Sequence, residues 1–361
     1  MSIFVRLLGA LLLFSSLAHA DDTTVTAATP SAAPVTDCQK GVGLLLPLDS
    51  AAFAKAADMV RLGTAAWSAV HQDAPPFVVY ATTGEVDDIV KRYGQAAASG
   101  CRVIIGPLTR NAVNALASQD VARLPNLALN VPDSPVRANP NLWFFGLPLE
   151  AEARQLAWQA FQDGRRNIAI VGTRNPVTSR AQQAFADEWQ RLGGSITQQY
   201  ETNRDPADLT ALGHALSNSK ADAVLLAAGQ DSASLIRPYL GLTPVYTFSM
   251  AYTSNTSPRN NDLNGTRFLD MPWLLAPDNS EVQRYARLDP SPGMDMERLY
   301  ALGIDAARLA TMLLANGKLG SDAIAGVSGT LRPQADGTIV RELLPAQFLQ
   351  GTVVRQDTAS Q

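Results

Sequence analysis

The 361-residue sequence carries 29 Lys and Arg against 33 Asp and Glu, a formal charge of −4, and its basic residues are scattered arginines rather than a stripe, which excludes a nucleic-acid footprint. Two cysteines and three histidines are too few to organise a His/Cys metal centre. The length exceeds the roughly 300 residues at which a single hydrophobic core stops growing, so two lobes are expected.

Residues 1–20 read as a secretory signal: Arg6 in a short n-region, an apolar stretch from Leu7 to Leu17, and Ala18-His19-Ala20 as a small-x-small cleavage site. The stretch is too short for the roughly 20 residues a membrane span needs. Cleavage leaves a mature chain that starts at Asp21 with charge −5, because the signal holds one arginine and no acid. No lipidation cysteine is expected, since Asp21-Asp22 follow the cleavage site and Val35-Thr36-Asp37 before Cys38 form no lipidation box. Residues 21–37 are mostly Ala, Thr, Pro and Asp and read as a disordered linker. Asp, Arg, Asn or Pro interrupts every later apolar run, so the expectation is a soluble periplasmic protein without a membrane span.

From there, apolar runs of strand length alternate with helix-period segments, the pattern of βαβ units. Val42 to Leu46 is the first strand, and Ser50 is positioned to cap a helix whose apolar face holds Phe53, Ala57, Val60, Gly63 and Trp67. Phe77 to Ala81, Arg102 to Gly106 and Asn126 to Asn130 are further strands, with helices from Val86 and Asn111 between them. Val131 to Pro148, rich in Pro and Asn, reads as a crossing between lobes. A second series follows: a helix from Glu150 to Gln162, strands at Asn167 to Val171, Ser195 to Tyr200, Ala223 to Ala227 and Val245 to Ser249, and helices between them. Thr253 to Gly265 reads as a mobile polar loop and Arg267 to Leu275 as extended chain. A long helix runs from Met296 to Asn316 and stops at Gly317; Ala335-Asp336-Gly337 marks a hairpin, and residues 351–361 read as a disordered tail.

No G-x-S-x-G elbow, H-E-x-x-H helix or phosphate loop occurs. His71 and His214 read as surface histidines and Asp87-Asp88 as a solvated helix face, so no catalytic residue, cofactor or metal is expected. Ligands of open parallel sheets bind beyond the carboxyl ends of the strands. That rule nominates Asp49, Ser50, Thr109, Arg110 and Asn130 in the first lobe, and Thr173, Arg174, Gln230, Asp231 and Tyr252 in the second, as lining one cleft.

The chain resembles the type I periplasmic-binding fold and, within it, the penicillin-binding protein activator family (LppC/LpoA-like), from about Lys40 to Gly351. The general resemblance rests on Gly41-Val-Gly-Leu-Leu-Leu-Pro-Leu48, Val103-Ile-Ile-Gly-Pro-Leu108 and Leu127-Ala-Leu-Asn130. The specific one rests on Glu152-Ala-Arg154, Phe185-Ala-Asp-Glu-Trp-Gln-Arg-Leu-Gly-Gly194, Arg298-Leu-Tyr-Ala-Leu-Gly-Ile-Asp-Ala306 and Gly329-Thr-Leu-Arg332. It implies an α/β fold of two Rossmann-like lobes with parallel sheets joined by three crossings. The implied first lobe is residues 38–141 and 278–326, the second 142–277 and 327–350.

The resemblance implies a non-catalytic regulator that binds and stimulates a class A penicillin-binding protein, a peptidoglycan synthase. Full-length members resemble lipoproteins with an N-terminal helical-repeat domain, neither of which is legible here. The alternative is a solute receptor for an amino acid or small peptide feeding an ABC transporter, with a small ligand in the cleft. Such receptors usually carry hydroxylated residues after the third strand, whereas Gly106-Pro107-Leu108-Thr109-Arg110 keeps only Thr109. The 2-1-3-4 strand order that the fold implies puts Cys38 and Cys101 side by side ahead of neighbouring strands, and so implies a Cys38–Cys101 disulfide.

Overall fold

The computed structural model describes residues 37–118, 121–134 and 139–356. The signal sequence, the linker before Asp37 and the last five residues of the tail lie outside the described residues.

The first series is β1 (Val42–Leu46), α1 (Ala54–Val70), β2 (Phe77–Ala81), α2 (Val86–Ala98), β3 (Val103–Ile105), α3 (Arg110–Ser118), β4 (Asn126–Ala128) and β5 (Leu142–Phe144). The second is α4 (Leu149–Gln162), β6 (Asn167–Thr173), α5 (Pro176–Arg191), β7 (Ser195–Thr202), α6 (Pro206–Ser217), β8 (Ala223–Ala227), α7 (Gln230–Ile236), β9 (Val245–Thr247) and β10 (Arg267–Asp270). Then come α8 (Pro272–Leu275), α9 (Ser280–Gln283), α10 (Met294–Asn316), β11 (Ile324–Ala325), β12 (Thr330–Pro333), β13 (Ile339–Glu342), β14 (Leu344–Leu349) and β15 (Thr352–Arg355).

These elements build two sheets and a small third one. The first sheet has five strands in the order β2-β1-β3-β4-β5, all parallel. The second has seven, β15-β14-β10-β9-β8-β6-β7, with β14 and β15 antiparallel at one edge. Central strands β1 and β8 are buried at every residue, because helices cover both faces of a parallel sheet, and that is why they read as continuous apolar runs.

The α10 helix returns to the first lobe and lies against α1. A side-chain carbon on Gly63 would sit 2.0 Å from the Tyr300 carbonyl, and one on Gly303 would sit 2.2 Å from that of Val60. Only glycine at both positions lets the two backbones approach this closely.

Several boundaries differ from the sequence expectation. Leu142–Phe144, expected to open the second lobe, pairs with β4 and closes the first sheet. The hairpin β12–β13 joins β11 in the three-stranded sheet and touches β5 through a Phe144–Thr338 bridge, so it stands with the first lobe rather than the second. Residues 272–275 form a helical turn rather than extended chain, started by Pro272 at its first position. The expected disordered tail contributes an edge strand as far as Arg355, because Gln350 (φ 50°) and Gly351 (φ 80°) make a two-residue hairpin turn that returns Thr352-Val353-Val354 onto β14. Ser50 does not cap α1 with its side chain; its carbonyl accepts from Phe53 and Ala54 instead. Gly317 ends α10 as expected.

Cys38 and Cys101 form the expected disulfide, with Cα atoms 5.0 Å apart ahead of the neighbouring strands β1 and β3. Closing a loop across 63 residues contributes about 4 kcal/mol on the chain-entropy account. Thiol labelling of the unfolded, unreduced chain should therefore find no free sulfhydryl, and reduction should lower unfolding stability by about that amount; two labelled thiols would refute the bridge.

Candidate functional site

Three crossings join the lobes: residues 145–148 between β5 and α4, residues 271–293 between β10 and α10, and Leu343 between β13 and β14. Charged residues that the fold buries sit at these crossings, each with a defined set of partners.

Arg298 stands in the first turns of α10, on the first lobe. Its Nη2 donates to Asp270 Oδ2 (2.6 Å) at the end of β10 and to the carbonyls of Ser249 (2.9 Å) and Tyr252 (3.0 Å), all on the second lobe. Its Nη1 donates to Asp295 (2.7 Å). Burial works against the charge, but the Asp270 carboxylate outweighs it and holds the Arg298 pKa above its usual range.

Glu152 on α4 accepts from the Ser249 amide (2.5 Å) and pairs with the Ser249 hydroxyl (2.7 Å). Burial pushes its pKa up to about 7, the Ser249 hydrogen bonds offsetting only part of that cost. Asp305 on α10 accepts from the Val327 and Ser328 amides (3.1 and 2.7 Å) and the Ser328 hydroxyl (2.6 Å), fixing the approach to the hairpin. Arg341 on β13 donates to the Gly146 carbonyl in the first crossing (2.9 Å) and to that of Ser328 (3.0 Å). Burial lowers its pKa to about 10. Gln155 on α4 donates to the Arg341 carbonyl (2.7 Å) and accepts from Leu343 (3.0 Å), which ties the second lobe to the third crossing.

A groove of 670 Å³ opens beside these crossings, lined from both lobes and the hairpin. Arg110, at the start of α3, grips Glu150 of α4 through both carboxylate oxygens (3.0 and 3.3 Å) and reaches Asp133 (3.2 Å). Arg180 on α5 shares Glu150 at 3.0 Å. Burial alone would raise Glu150, but the Arg110 donors hold its carboxyl below the usual range.

Of the residues nominated from sequence, Arg110 lines this groove, and the others are dispersed. Arg174 is 90% exposed at its side chain and pairs with Glu201 on a separate shallow surface, while Thr173 ends β6. Gln230 is buried and clamps the 253–265 loop, meeting Asn260 (2.9 Å), Thr253 (2.6 Å) and Ser257 (2.9 Å), so this expected mobile loop is hydrogen-bonded to α7. Asp231 pairs with Arg259, and the Tyr252 hydroxyl turns to Asn255. Asn130 closes its own turn by bonding Leu108 and Val131. Asp49 is exposed and Thr109 and Ser50 are half-buried, with only main-chain bonds recorded for all three among the described residues. His71 is not a free surface histidine: its ring stacks on Trp67 at 4.1 Å, whereas His214 is exposed.

Glu152, Asp305 and Arg341 were not nominated as site residues, and neither was Arg298. A signal was present, because Arg298 and Asp305 stand seven residues apart on the apolar face of α10, where a charge must be paired to be tolerated.

Residues 35–351 match the model of the family described as "LppC putative lipoprotein". The chain is 29% identical over 345 residues to the penicillin-binding protein activator LpoA of Erwinia tasmaniensis, covering 82% of this chain and 50% of that protein. Among solved structures it is similar to the LpoA (YraM) C-domain of Haemophilus influenzae, a regulator of PBP1A (26% identity, TM-score 0.73, 88% of this chain and 99% of that one). It is also similar to a Chromobacterium violaceum protein assigned as a branched-chain amino acid ABC transporter (36% identity, TM-score 0.73, 85% and 99%). The chain spans about half the length of the curated relatives it matches. No helix among the described residues is long and apolar enough to cross a membrane.

Because the Glu152 pKa is raised from its ordinary 4.5 to about 7, folding takes up a proton between those values. Its contribution to stability is therefore full below about pH 4.5 and is lost as pH rises through about 7, a change on the order of 3 kcal/mol. Glu152→Gln keeps the shape and cannot ionise, so its melting temperature relative to the wild type should rise from about pH 5 to about pH 8. Parallel curves for the two proteins would show that Glu152 does not titrate there.

Proposed function

The chain belongs to the LppC lipoprotein family, and from that premise we propose that it is a non-catalytic periplasmic regulator that binds and stimulates a class A penicillin-binding protein. The observation that carries this reading is the match over 88% of the chain to 99% of a solved C-domain whose protein regulates PBP1A. The part of the activator that this chain resembles is thus the whole folded lobe pair. Export fits the same reading, with residues 1–20 as a cleaved signal.

The buried charges support regulation rather than catalysis. Asp270, Asp305 and Arg298 are engaged with main chain, hydroxyls or each other, and that arrangement holds segments in place instead of presenting an acid, base or nucleophile to a substrate. The solute-receptor alternative draws support from the similarity to the Chromobacterium violaceum protein. Against it, three of the four charged residues nominated at the strand tips are occupied, Arg110 by Glu150 and Asp133, Arg174 by Glu201, and Asp231 by Arg259, which leaves Asp49 as the exposed one.

The purified chain should bind an immobilised class A penicillin-binding protein and raise its output of glycan or of crosslinked peptide in a reconstituted synthesis assay. Binding of neither kind, with synthase products unchanged, would remove the regulator reading. Stabilisation by an amino acid with no effect on the synthase would favour the receptor.

A further inference from the structure

The crossings enclose three carboxyls, Glu152, Asp270 and Asp305, and their pairing is uneven. Asp270 is paired with Arg298 and Asp305 with Arg308, whereas Glu152 has no guanidinium at ion-pair distance among the described residues. The polar and charged groups that act on it come from four neighbouring segments. They are the Ser249 amide and hydroxyl in the turn after β9, Asp270 on β10, Arg298 on α10 and Arg341 on β13. An enclosed carboxylate is costly unless a counter-charge or water reaches it, so Glu152 is the member of this cluster that a proton serves best.

Ser249 couples this carboxyl to the lobe contact. Its amide covers one Glu152 oxygen and its hydroxyl the other, both within the second lobe, while its carbonyl accepts from Arg298 of the first lobe at 2.9 Å. Hydrating Glu152 therefore requires Ser249 to move, and a moved Ser249 withdraws its carbonyl from Arg298. Burial holds the Glu152 pKa at about 7 against an ordinary 4.5, so the bound proton favours the enclosed arrangement. That preference is lost as pH rises through about 7.

We propose that the Glu152 proton governs how tightly the two lobes are held: its loss releases the Ser249 turn from Arg298 and loosens one lobe from the other. The device is independent of which partner or ligand the chain binds.

A distance measurement between the lobes tests it apart from any change in stability. Spin labels go on Lys91→Cys of α2 and Gln190→Cys of α5, both exposed helical positions, and the native cysteines are held in their disulfide. Double electron–electron resonance on the full chain should show one main distance at pH 6 and a second population at pH 8. The ratio of loosened to held molecules should rise about tenfold over that interval, the factor set by a carboxyl that moves between the two pKa values. Glu152→Gln cannot ionise and should keep the pH 6 distribution at both values. Ser249→Ala removes a hydrogen bond that favours the ionised carboxyl, so it should move the midpoint of the change to higher pH. Three results would each overturn the proposal: a wild-type distribution that does not change with pH, an equal change in Glu152→Gln, or a midpoint that Ser249→Ala leaves in place.

Discussion

Arg298 is rooted on a helix of the first lobe and directs Nε and Nη2 into the second, where Asp270 and two main-chain carbonyls receive them. A charge enclosed in this way is tolerated only while its partners hold their positions, since a guanidinium left without them would carry the whole desolvation cost. The position of one lobe against the other is therefore tied to this contact. Arg110 repeats the arrangement on a smaller scale, from the start of α3 to Glu150 on α4.

The remaining contacts extend the same constraint to the other crossings. Arg341 draws the first crossing to the hairpin through Gly146, Gln155 holds the third through Leu343, and Asp305 anchors the hairpin approach at Ser328. All three crossings are thus fastened by hydrogen bonds to groups the chain itself supplies. A binding protein that closes on a solute needs lobes free to swing and donors left open at the strand tips. Here three of the four charged residues at the tips, Arg110, Arg174 and Asp231, are engaged internally.

Much of the fold was legible from sequence because its strands lie between helices and read as uninterrupted apolar runs, as in Val42–Leu46 and Ala223–Ala227. The Cys38–Cys101 bridge was legible for a related reason: it follows once β1 and β3 are neighbours. The site was not. Whether Arg110 or Arg174 is free depends on a carboxylate elsewhere in the chain, and the bond between Arg341 and Gly146 joins residues 195 apart. No local pattern encodes such a pairing. The last strand was missed for a smaller reason, because Gln350-Gly351 is a weaker turn signal than Asn-Gly although both residues take positive φ.

The central claim is that Arg298 and Asp270 act as one unit that fixes the lobes, and a double-mutant cycle on thermal unfolding measures this directly. Asp270→Leu and Arg298→Met should each lose about 3–5 kcal/mol by orphaning the other charge, and the double variant should lose far less than the two together. Losses that simply add would mean the two residues contribute separately, and the lobes would then owe their arrangement to something other than this pair.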